Sequence, residues 1–404
     1  MAWTVPTEVE EVIHAATRAA LGDAPLATAP LVRAIVDRSR RYTSERDRPA
    51  ADRTADLAAR AMFFTVADAM KIAVPLGELA HRGALPRARP LRIADLGAGC
   101  GAMSLGAIVA LPPGIAVEFT AIDRDARALA IARAAVRELA ARRGAVAAFA
   151  ARDDDLAHAS LPAADLVVLG SVLNELPGDA RLAAVLRALA AIGEDGAVIV
   201  IEPALRDTAR ALHEVRDAVL AGGHGHVFAP CTRAIAPCPA LADPDDWCHE
   251  DRALQLPPRT AELARLTHLR DGGMKFAYLV LRRHPLALVE RSELGGGDPE
   301  AAQAWRVVSA PMPAKGKLEI IGCSAAGRVP LRLLRRHRTA ANRSLEAARR
   351  GDVVVIEGAA PPGDSVDQPT DQPTDQPTER PVDRIEITGD TTVHRVAPAR
   401  PEPG

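Results

Sequence analysis

The chain has 404 residues, of which 48% are hydrophobic and 25% are charged, and its formal net charge is −2. This composition excludes an intrinsically disordered chain, and no apolar run approaches the ~20 residues that span a bilayer. Aromatic residues make up only 3% of the chain, which excludes an aromatic platform for stacking single-stranded bases. We expect a large globular body without membrane contact.

The amino terminus is acidic and has neither the order of a secretory signal nor the arginine-rich character of a transit peptide. Five cysteines in a chain of this length are too few for a disulfide scaffold. These features predict a cytoplasmic protein, which we expect to be a monomer.

In chain order, residues 1–85 carry apolar residues at helical spacing and predict a helical N-terminal segment. From 86 to 285, short apolar strands alternate with alanine-rich helices. This rhythm predicts an α/β, doubly wound, Rossmann-like sheet. Strands are predicted at 91–96, 117–122, 146–150, 164–170 and 197–202, and helices at 101–111, 125–141, 178–192 and 204–220.

The second half of the chain has a different pattern. A short strand at 226–229 opens a Pro- and Cys-rich insertion at 226–260, and a further strand is predicted at 276–281. A break at Gly295–Gly297 precedes a small, basic, β-rich domain at 300–358. Its predicted strands are 305–310, 317–322 and 352–357.

Residues 361–404 hold nine acids and four bases and include three Asp-Gln-Pro-Thr repeats at 367–378. We expect this acidic tail to be disordered, because the repeats offer no apolar residues to bury.

The first predicted strand runs into a glycine loop that contains Asp95, Gly97, Gly99 and Gly101. Glycines allow a sharp turn and a close approach to a ligand, and the following helix presents free amide groups. Asp95 suits the amino group of a methionine moiety, and Asp123, at the tip of the second strand, suits two ribose hydroxyls.

A third acidic group, Asp153 and Asp154, follows the next strand, where it could hold an adenine amine. Together these residues resemble a class I S-adenosylmethionine-dependent methyltransferase over residues 86–283. Solvated or helix-capping acids are the alternative, and a NAD-dependent oxidoreductase would place an acid at the same strand tip.

The residues after strand 164–170 usually face the reactive methyl group. Here Asn174 and Glu175 are the candidate catalytic residues, and capping of the next helix is the alternative role. The segment lacks both the Asn/Asp-Pro-Pro-aromatic motif of base methylases and a nucleophilic cysteine.

Three cysteines cluster in the proline-rich insertion, and a fourth lies far along the chain: Cys231, Cys238, Cys248 and Cys323. Four thiolates can saturate a zinc ion or a [4Fe-4S] cluster. The spacing departs from the short paired knuckles of structural zinc sites and favours iron–sulfur. His249 is a possible substitute ligand, and unligated cysteines are the alternative.

The chain also resembles the methyltransferase-like small-ribosomal-subunit protein family over about residues 5–357. The resemblance implies that Cys231, Cys238, Cys248 and Cys323 bind a [4Fe-4S] cluster. It also implies contact with small-subunit rRNA. The motifs that carry it are the glycine loop, Leu173–Leu176, Ile201–Pro203, the Pro-Cys, Cys-Pro and Asp-Trp-Cys-His elements of the insertion, Lys275–Tyr278 and Gly322–Cys323.

Residues 305–350 contain eleven Arg or Lys and only two acids. Such a one-signed excess predicts salt-dependent binding to RNA phosphates, with a solvated surface as the alternative. The named arginines are Arg332, Arg335, Arg336, Arg338, Arg343, Arg349 and Arg350.

Two functional hypotheses follow from the sequence. As an enzyme, the protein would methylate rRNA, with Asp95 and Asp123 holding the donor. As a binding module, it would hold immature rRNA while its nucleotide cleft serves as a sensor or relic.

Overall fold

The computed structural model describes residues 3–43, 50–156, 158–232, 234, 236–270, 273–286, 288, 303–359 and 384–396. The glycine break at 295–297 and the repeats at 367–378 lie outside these ranges.

The N-terminal segment is helical, as predicted. Helix α1 buries Val9, Val12 and Ile13, which recur at helical spacing on one face. A π-helical stretch, Arg60–Thr65, continues the third helix. Ahead of that helix, the Asp52 carboxylate caps the free backbone N–H groups. The elements are β1 (Trp3–Thr4), α1 (Thr7–Leu21), α2 (Thr28–Thr43), α3 (Arg53–Ala59), α4 (Val66–Asp68) and α5 (Ala73–His81).

The central domain alternates strands and helices at nearly the predicted positions. Its strands are β2 (Leu91–Leu96), β3 (Val117–Asp123), β4 (Ala147–Asp153), β5 (Ala164–Gly170), β6 (Ile192–Pro203), β7 (His226–Ala229), β8 (Glu250–Arg252), β9 (Leu254–Gln255) and β10 (Met274–Arg282). Its helices are α6 (Ala102–Ala110), α7 (Ala126–Arg142), α8 (Gly178–Ala191), α9 (Arg206–Ala221) and α10 (Pro258–Thr267). The sequence analysis did not predict α10.

Eight of these strands form one sheet in the order β4-β3-β2-β5-β6-β10-β7, with β8 paired to β10, whereas β9 pairs with β1. Strands β2 to β6 are parallel, and β10 runs antiparallel to β6. Two hydrophobic clusters cover the two faces of the sheet. Burial on both faces explains why residues 166–169 of β5 are all apolar rather than alternating with polar residues.

A separate C-terminal sheet follows, with its own apolar core. Its strand order is β16-β14-β13-β11-β15-β17, with β12 paired to β13. The strands are β11 (Gln303–Val307), β12 (Met312–Ala314), β13 (Lys317–Ser324), β14 (Gly327–Leu334), β15 (Val353–Glu357), β16 (Ile385–Ile387) and β17 (Thr392–Val396).

The prediction of a disordered tail over 361–404 is wrong for residues 384–396. Strands β16 and β17 pair with β14 and β15, and Ile385, Ile387 and Val393 are buried in the C-terminal core. The acidic average of the tail concealed this short apolar alternation. The domain predicted to end at residue 358 therefore takes two further strands from the tail.

Within the described ranges, none of the helices combines the length and apolar character needed to cross a bilayer.

Candidate functional site

The glycine loop lies at the carboxyl end of β2. Gly97 and Gly99 have φ angles of 66° and 53°, in the left-handed region that favours glycine. A Cβ on Gly97 would lie 2.3 Å from Val172 Cγ2, and one on Gly99 would lie 2.8 Å from Arg60 Nη2. The loop therefore needs glycine for both its turn and its close contacts.

Two of the predicted donor-binding acids flank this loop. Asp95 is buried and accepts a 2.6 Å hydrogen bond from Ser104 Oγ, and burial raises its pKa to about 6. Asp123 Oδ2 accepts the Gly99 backbone N–H at 2.8 Å, and its Oδ1 accepts the Asp125 N–H at 2.8 Å. Each Asp123 oxygen keeps a lone pair for a hydroxyl donor.

The other predicted acids lie at the same edge of the sheet. Asp153 is in register with Asp123 on the neighbouring strand and is exposed. Asp154 forms a 3.2 Å ion pair with Arg152. The fold thus brings Asp95, Asp123 and Asp153 together at the carboxyl ends of three parallel strands.

The sequence analysis missed Arg60, whose guanidinium reaches the glycine loop from the π-helical stretch. We call the region formed by this loop and the acids at the strand tips the glycine-loop cleft. The Nη1 atom of Arg60 lies 2.9 Å from Asp125 Oδ2, while its Nη2 faces Gly99. π-helical segments are rare and often occur at functional sites, but a single-sequence pattern does not reveal them.

Asn174 and Glu175 lie in a short 3₁₀ turn after β5. Asn174 Nδ2 donates to Tyr42 Oη and to Glu202 Oε2, both at 2.7 Å. Glu175 is half exposed, 3.8 Å from Arg124. The following helix, α8, has no side-chain cap at Pro177, and the Asn174 amide makes other contacts.

Glu202, at the end of β6, was missed as a site residue. Its Oε1 accepts the backbone N–H groups of Val172 and Leu173 at 2.9 Å, and its other oxygen holds Asn174. Burial raises the pKa of Glu202 to about 7. Its place in Ile201–Pro203, a stretch already noted for the family resemblance, was the signal that could have identified it.

The four predicted metal-ligating cysteines line one cavity between the central and C-terminal sheets. Cys231 and Cys238 lie in the loop after β7, Cys248 lies two residues before the start of β8, and Cys323 lies on β13. Burial raises the pKa of Cys248 to about 12 and raises that of Cys323 as well. The fifth cysteine, Cys100, is buried in the glycine loop and does not line this cavity.

Arginines share the cavity with the thiols. Arg216 is hydrogen-bonded to Cys231 and paired with Asp217, and Arg328 is paired with Asp246. The buried Nε atoms of Arg216, Arg306 and Arg328 find no hydrogen-bond partner in the part of the chain that the structure describes.

The insertion loop is fixed by buried polar contacts. Asp217 Oδ2 accepts the Cys238 N–H at 2.7 Å, and His213 Nε2 accepts the Cys248 N–H at 3.2 Å. Burial lowers the pKa of His213 to about 4, so the ring is neutral at pH 7 and can accept this bond.

His249 does not line the cavity, and its ring stacks on Trp247 at 5.6 Å. Among the described residues, no three Cys, His, Asp or Glu side chains form a group recognisable as a site for a single metal ion. The cysteine ligand set therefore stays a prediction.

In the C-terminal domain, some arginines of the basic stretch are neutralised by acidic partners and others are not. Arg332 pairs with Glu386 and Arg338 with Glu346, and Arg350 donates to the His249 carbonyl. Four of the named arginines are exposed, and their guanidinium groups have no carboxylate partner within the described ranges: Arg335, Arg336, Arg343 and Arg349.

The strand order, the glycine loop after β2 and the acid at the tip of β3 define a Rossmann-like fold of the class I methyltransferase type, as predicted. A cysteine-lined cavity and a separate β sheet are added to it. The chain belongs to the family described as mitochondrial small ribosomal subunit Rsm22, which matches residues 59–354. The suspected family is therefore confirmed.

No curated protein matches the chain. Solved structures similar to it include magnesium protoporphyrin IX methyltransferase from Synechocystis PCC 6803 with bound SAH, at 14% identity, covering 61% of this chain and 93% of that one, with a TM-score of 0.35. A putative RNA methyltransferase from Pyrococcus horikoshii has 14% identity, 54% and 84% coverage, and a TM-score of 0.32. These weak likenesses add no argument about function.

Proposed function

We propose that this protein binds small-subunit rRNA through its C-terminal domain, holds S-adenosylmethionine in the glycine-loop cleft and carries a [4Fe-4S] cluster. The main supporting observation is that three cysteines of the insertion and one of the C-terminal sheet line one cavity in a chain of a small-ribosomal-subunit family.

The donor set of the cavity fits an anionic, thiolate-ligated group. Cys231, Cys238, Cys248 and Cys323 would be the ligands. The unpartnered Nε atoms of Arg216 and Arg328 would supply hydrogen bonds and positive charge. When bound, such a cluster supplies a rigid cross-link and electron-transfer capacity. Zinc is the alternative occupant of the same thiols.

The cleft residues fit the methyl donor. Asp123 has free lone pairs for the ribose hydroxyls, and Asp95 has the charge to pair with the amino group once it is ionised. Asp153 and Asp154 are proposed for the adenine, with Gly97, Gly99 and Gly101 shaping the loop.

Methyl transfer is the finer part of the proposal. Glu202 fixes the amide of Asn174 at the carboxyl edge of the sheet, where an acceptor would meet the donor's methyl group. The Asn174 Oδ1 atom can then orient an acceptor N–H, and half-exposed Glu175 could contact the same substrate. The non-catalytic alternative is supported by the commitment of both Asn174 N–H groups to Tyr42 and Glu202.

One pair of measurements separates these alternatives. Calorimetry with S-adenosylmethionine tests the cleft, and transfer of a radiolabelled methyl group to purified small subunits tests catalysis. Binding with no transfer to any small-subunit preparation would refute the catalytic hypothesis and favour a non-catalytic assembly factor. Absence of binding would refute the proposal that the glycine-loop cleft holds S-adenosylmethionine.

The RNA surface is tested with matched arginine variants. Replacing Arg335, Arg336 and Arg343 with Gln should weaken rRNA binding. The slope of log K against log salt concentration should become shallower by about 1 for each arginine removed. Arg332→Gln is the control, because Arg332 is already neutralised by Glu386. Equal effects of the two sets would argue against this surface.

We also propose that the protein acts in the cytoplasm as a monomer, as the sequence analysis predicts. The family description names the mitochondrial small subunit, so cell fractionation is the deciding measurement. Sedimentation of the purified protein tests the monomer.

A further inference from the structure

Arg306 connects three parts of the molecule. It lies on β11 of the C-terminal sheet, but its side chain is buried against the central domain and is only 3% exposed. Its Nη1 donates to Glu78 Oε1 of helix α5 at 2.7 Å. Its Nη2 donates to Glu250 Oε1 of β8 at 2.7 Å and to Tyr278 Oη of β10 at 2.8 Å.

The register of the C-terminal sheet links this arginine to the fourth cysteine. Arg306 on β11 is the direct partner of Cys323 on β13. Cross-strand partners project from the same face of a sheet, and both residues line the cysteine cavity.

The same contacts reach a cysteine of the insertion. Glu250 follows Cys248 by two residues at the start of β8. The Arg306–Glu250 ion pair therefore joins the segment that carries Cys248 to the sheet that carries Cys323. Arg306 does not need to touch either sulfur to fix their separation.

We propose that Arg306 is a positioning residue that holds Cys323 against the three cysteines of the insertion. Its role in metal binding rests on the cluster proposed above, whereas its role in placing Cys323 does not. Without Arg306, the position of Cys323 would rest on the apolar contact between the sheets and on the remaining polar contacts, such as Arg328 with Asp246 and Thr232 Oγ1 with the Ala304 carbonyl.

The central domain is expected to tolerate the loss of this arginine. Glu250 keeps Arg252, whose Nε lies 2.9 Å from its Oε2, and Glu78 keeps the Tyr278 hydroxyl at 2.6 Å. Glu250 thus keeps a cation and Glu78 keeps a hydrogen-bond donor, so the charge left without a cation is confined to the Glu78 carboxylate. Removal should therefore loosen the contact between the sheets more than it unfolds either one.

The test is alkylation of each cysteine by iodoacetamide in the metal-free, full-length protein, followed by mass spectrometry. In Arg306→Met, Cys323 should react about tenfold faster than in the wild type, because thiol reactivity follows local opening. Arg306→Lys should give a smaller increase. Arg332→Met, which breaks an ion pair of the same sheet away from the cavity, should give none.

Cys100 is the internal control, because it is buried in the glycine loop away from the cavity. Wild-type protection of Cys323 in Arg306→Met would overturn the proposal. If Cys100 also becomes reactive in that variant, the central domain itself has opened, and the milder variant Arg306→Lys then provides the test. In Arg306→Lys, Cys323 must then react faster than in the wild type while Cys100 stays protected, and equal rates would overturn the proposal.

Iron and acid-labile sulfide after anaerobic reconstitution provide the second readout. Arg306→Met should retain less than about half of the wild-type content, and Arg332→Met should retain all of it. A wild-type protein that takes up neither iron nor sulfide would refute the cluster, while the alkylation rates would still decide the role of Arg306.

Discussion

The glycine-loop cleft and the cysteine cavity are built in different ways. The cleft is formed by successive loops at the carboxyl ends of β2, β3 and β4, so its residues follow directly from the local order of strands and helices. The cavity takes three cysteines from one loop and the fourth from another sheet. The cleft should therefore depend on single side chains, and the cavity on the packing of two sheets.

The largest expected effect is the loss of the metal group in Cys238→Ser. A serine oxygen is a poor replacement for a soft thiolate. Anaerobically purified protein should therefore lose its brown colour, and its iron content should fall at least about tenfold. Affinity for S-adenosylmethionine should stay within about twofold, because the cleft is built separately. Cys100→Ser, outside the cavity, is the control. Zinc at one equivalent in the anaerobic wild type would favour the zinc alternative.

The reciprocal variant is Asp123→Ala in the cleft. Loss of two hydrogen bonds to the ribose should weaken donor binding by about tenfold to a hundredfold, measured by calorimetry. Iron content should not change. Asp153→Ala, at the exposed neighbouring position, should have a smaller effect, and equal losses in the two variants would contradict the assignment of the ribose to Asp123.

Donor binding should also depend on pH through Asp95. Burial raises the pKa of this carboxyl to about 6, so it is ionised above that pH and neutral below it. The ionised form attracts the donor's ammonium group. Affinity should therefore fall by up to about tenfold for each pH unit below 6 and level off above it. Asp95→Asn should flatten the profile, and an unchanged profile would place the amino group elsewhere.

The smallest expected effect is at Arg60, whose guanidinium faces Gly99 in the cleft. Its ion pair with Asp125 is partly exposed and contributes no more than about 1 kcal/mol. A bound donor that displaces the guanidinium from its place beside Gly99 would therefore break this pair at small cost. Arg60→Ala should therefore bind S-adenosylmethionine about threefold more tightly, and Arg60→Lys should lie between this variant and the wild type. Weaker binding in Arg60→Ala would show instead that the arginine contacts the donor.

Much of the fold could be predicted from the sequence because its signals are local. The strand 91–96, the glycine loop and the helix after it occur as predicted, since apolar runs and glycines specify them within a few residues. The contacts that Glu202 and Arg60 make could not be predicted from local patterns. Both act through side chains that meet only when distant segments pack together.

The C-terminal domain shows the same limit. Its strands β11, β13 and β15 were predicted. Strand β14 was missed because it lies in an arginine-rich stretch, and β16 and β17 were missed because they lie in an acidic tail. These last strands are short, and they bury their apolar residues only because a sheet is already present to pair with them.

The sequence by itself determined the doubly wound sheet, the acids at its strand tips and the four thiols for which we propose a metal group. Periodicity and residue chemistry act over short distances and can be read directly. Only the tertiary structure decided that Cys323 lines the same cavity as the other three, that Asn174 is held by Glu202 and that Arg306 joins two sheets. These contacts join residues far apart in the chain, and they depend on the burial of surfaces that no local pattern specifies.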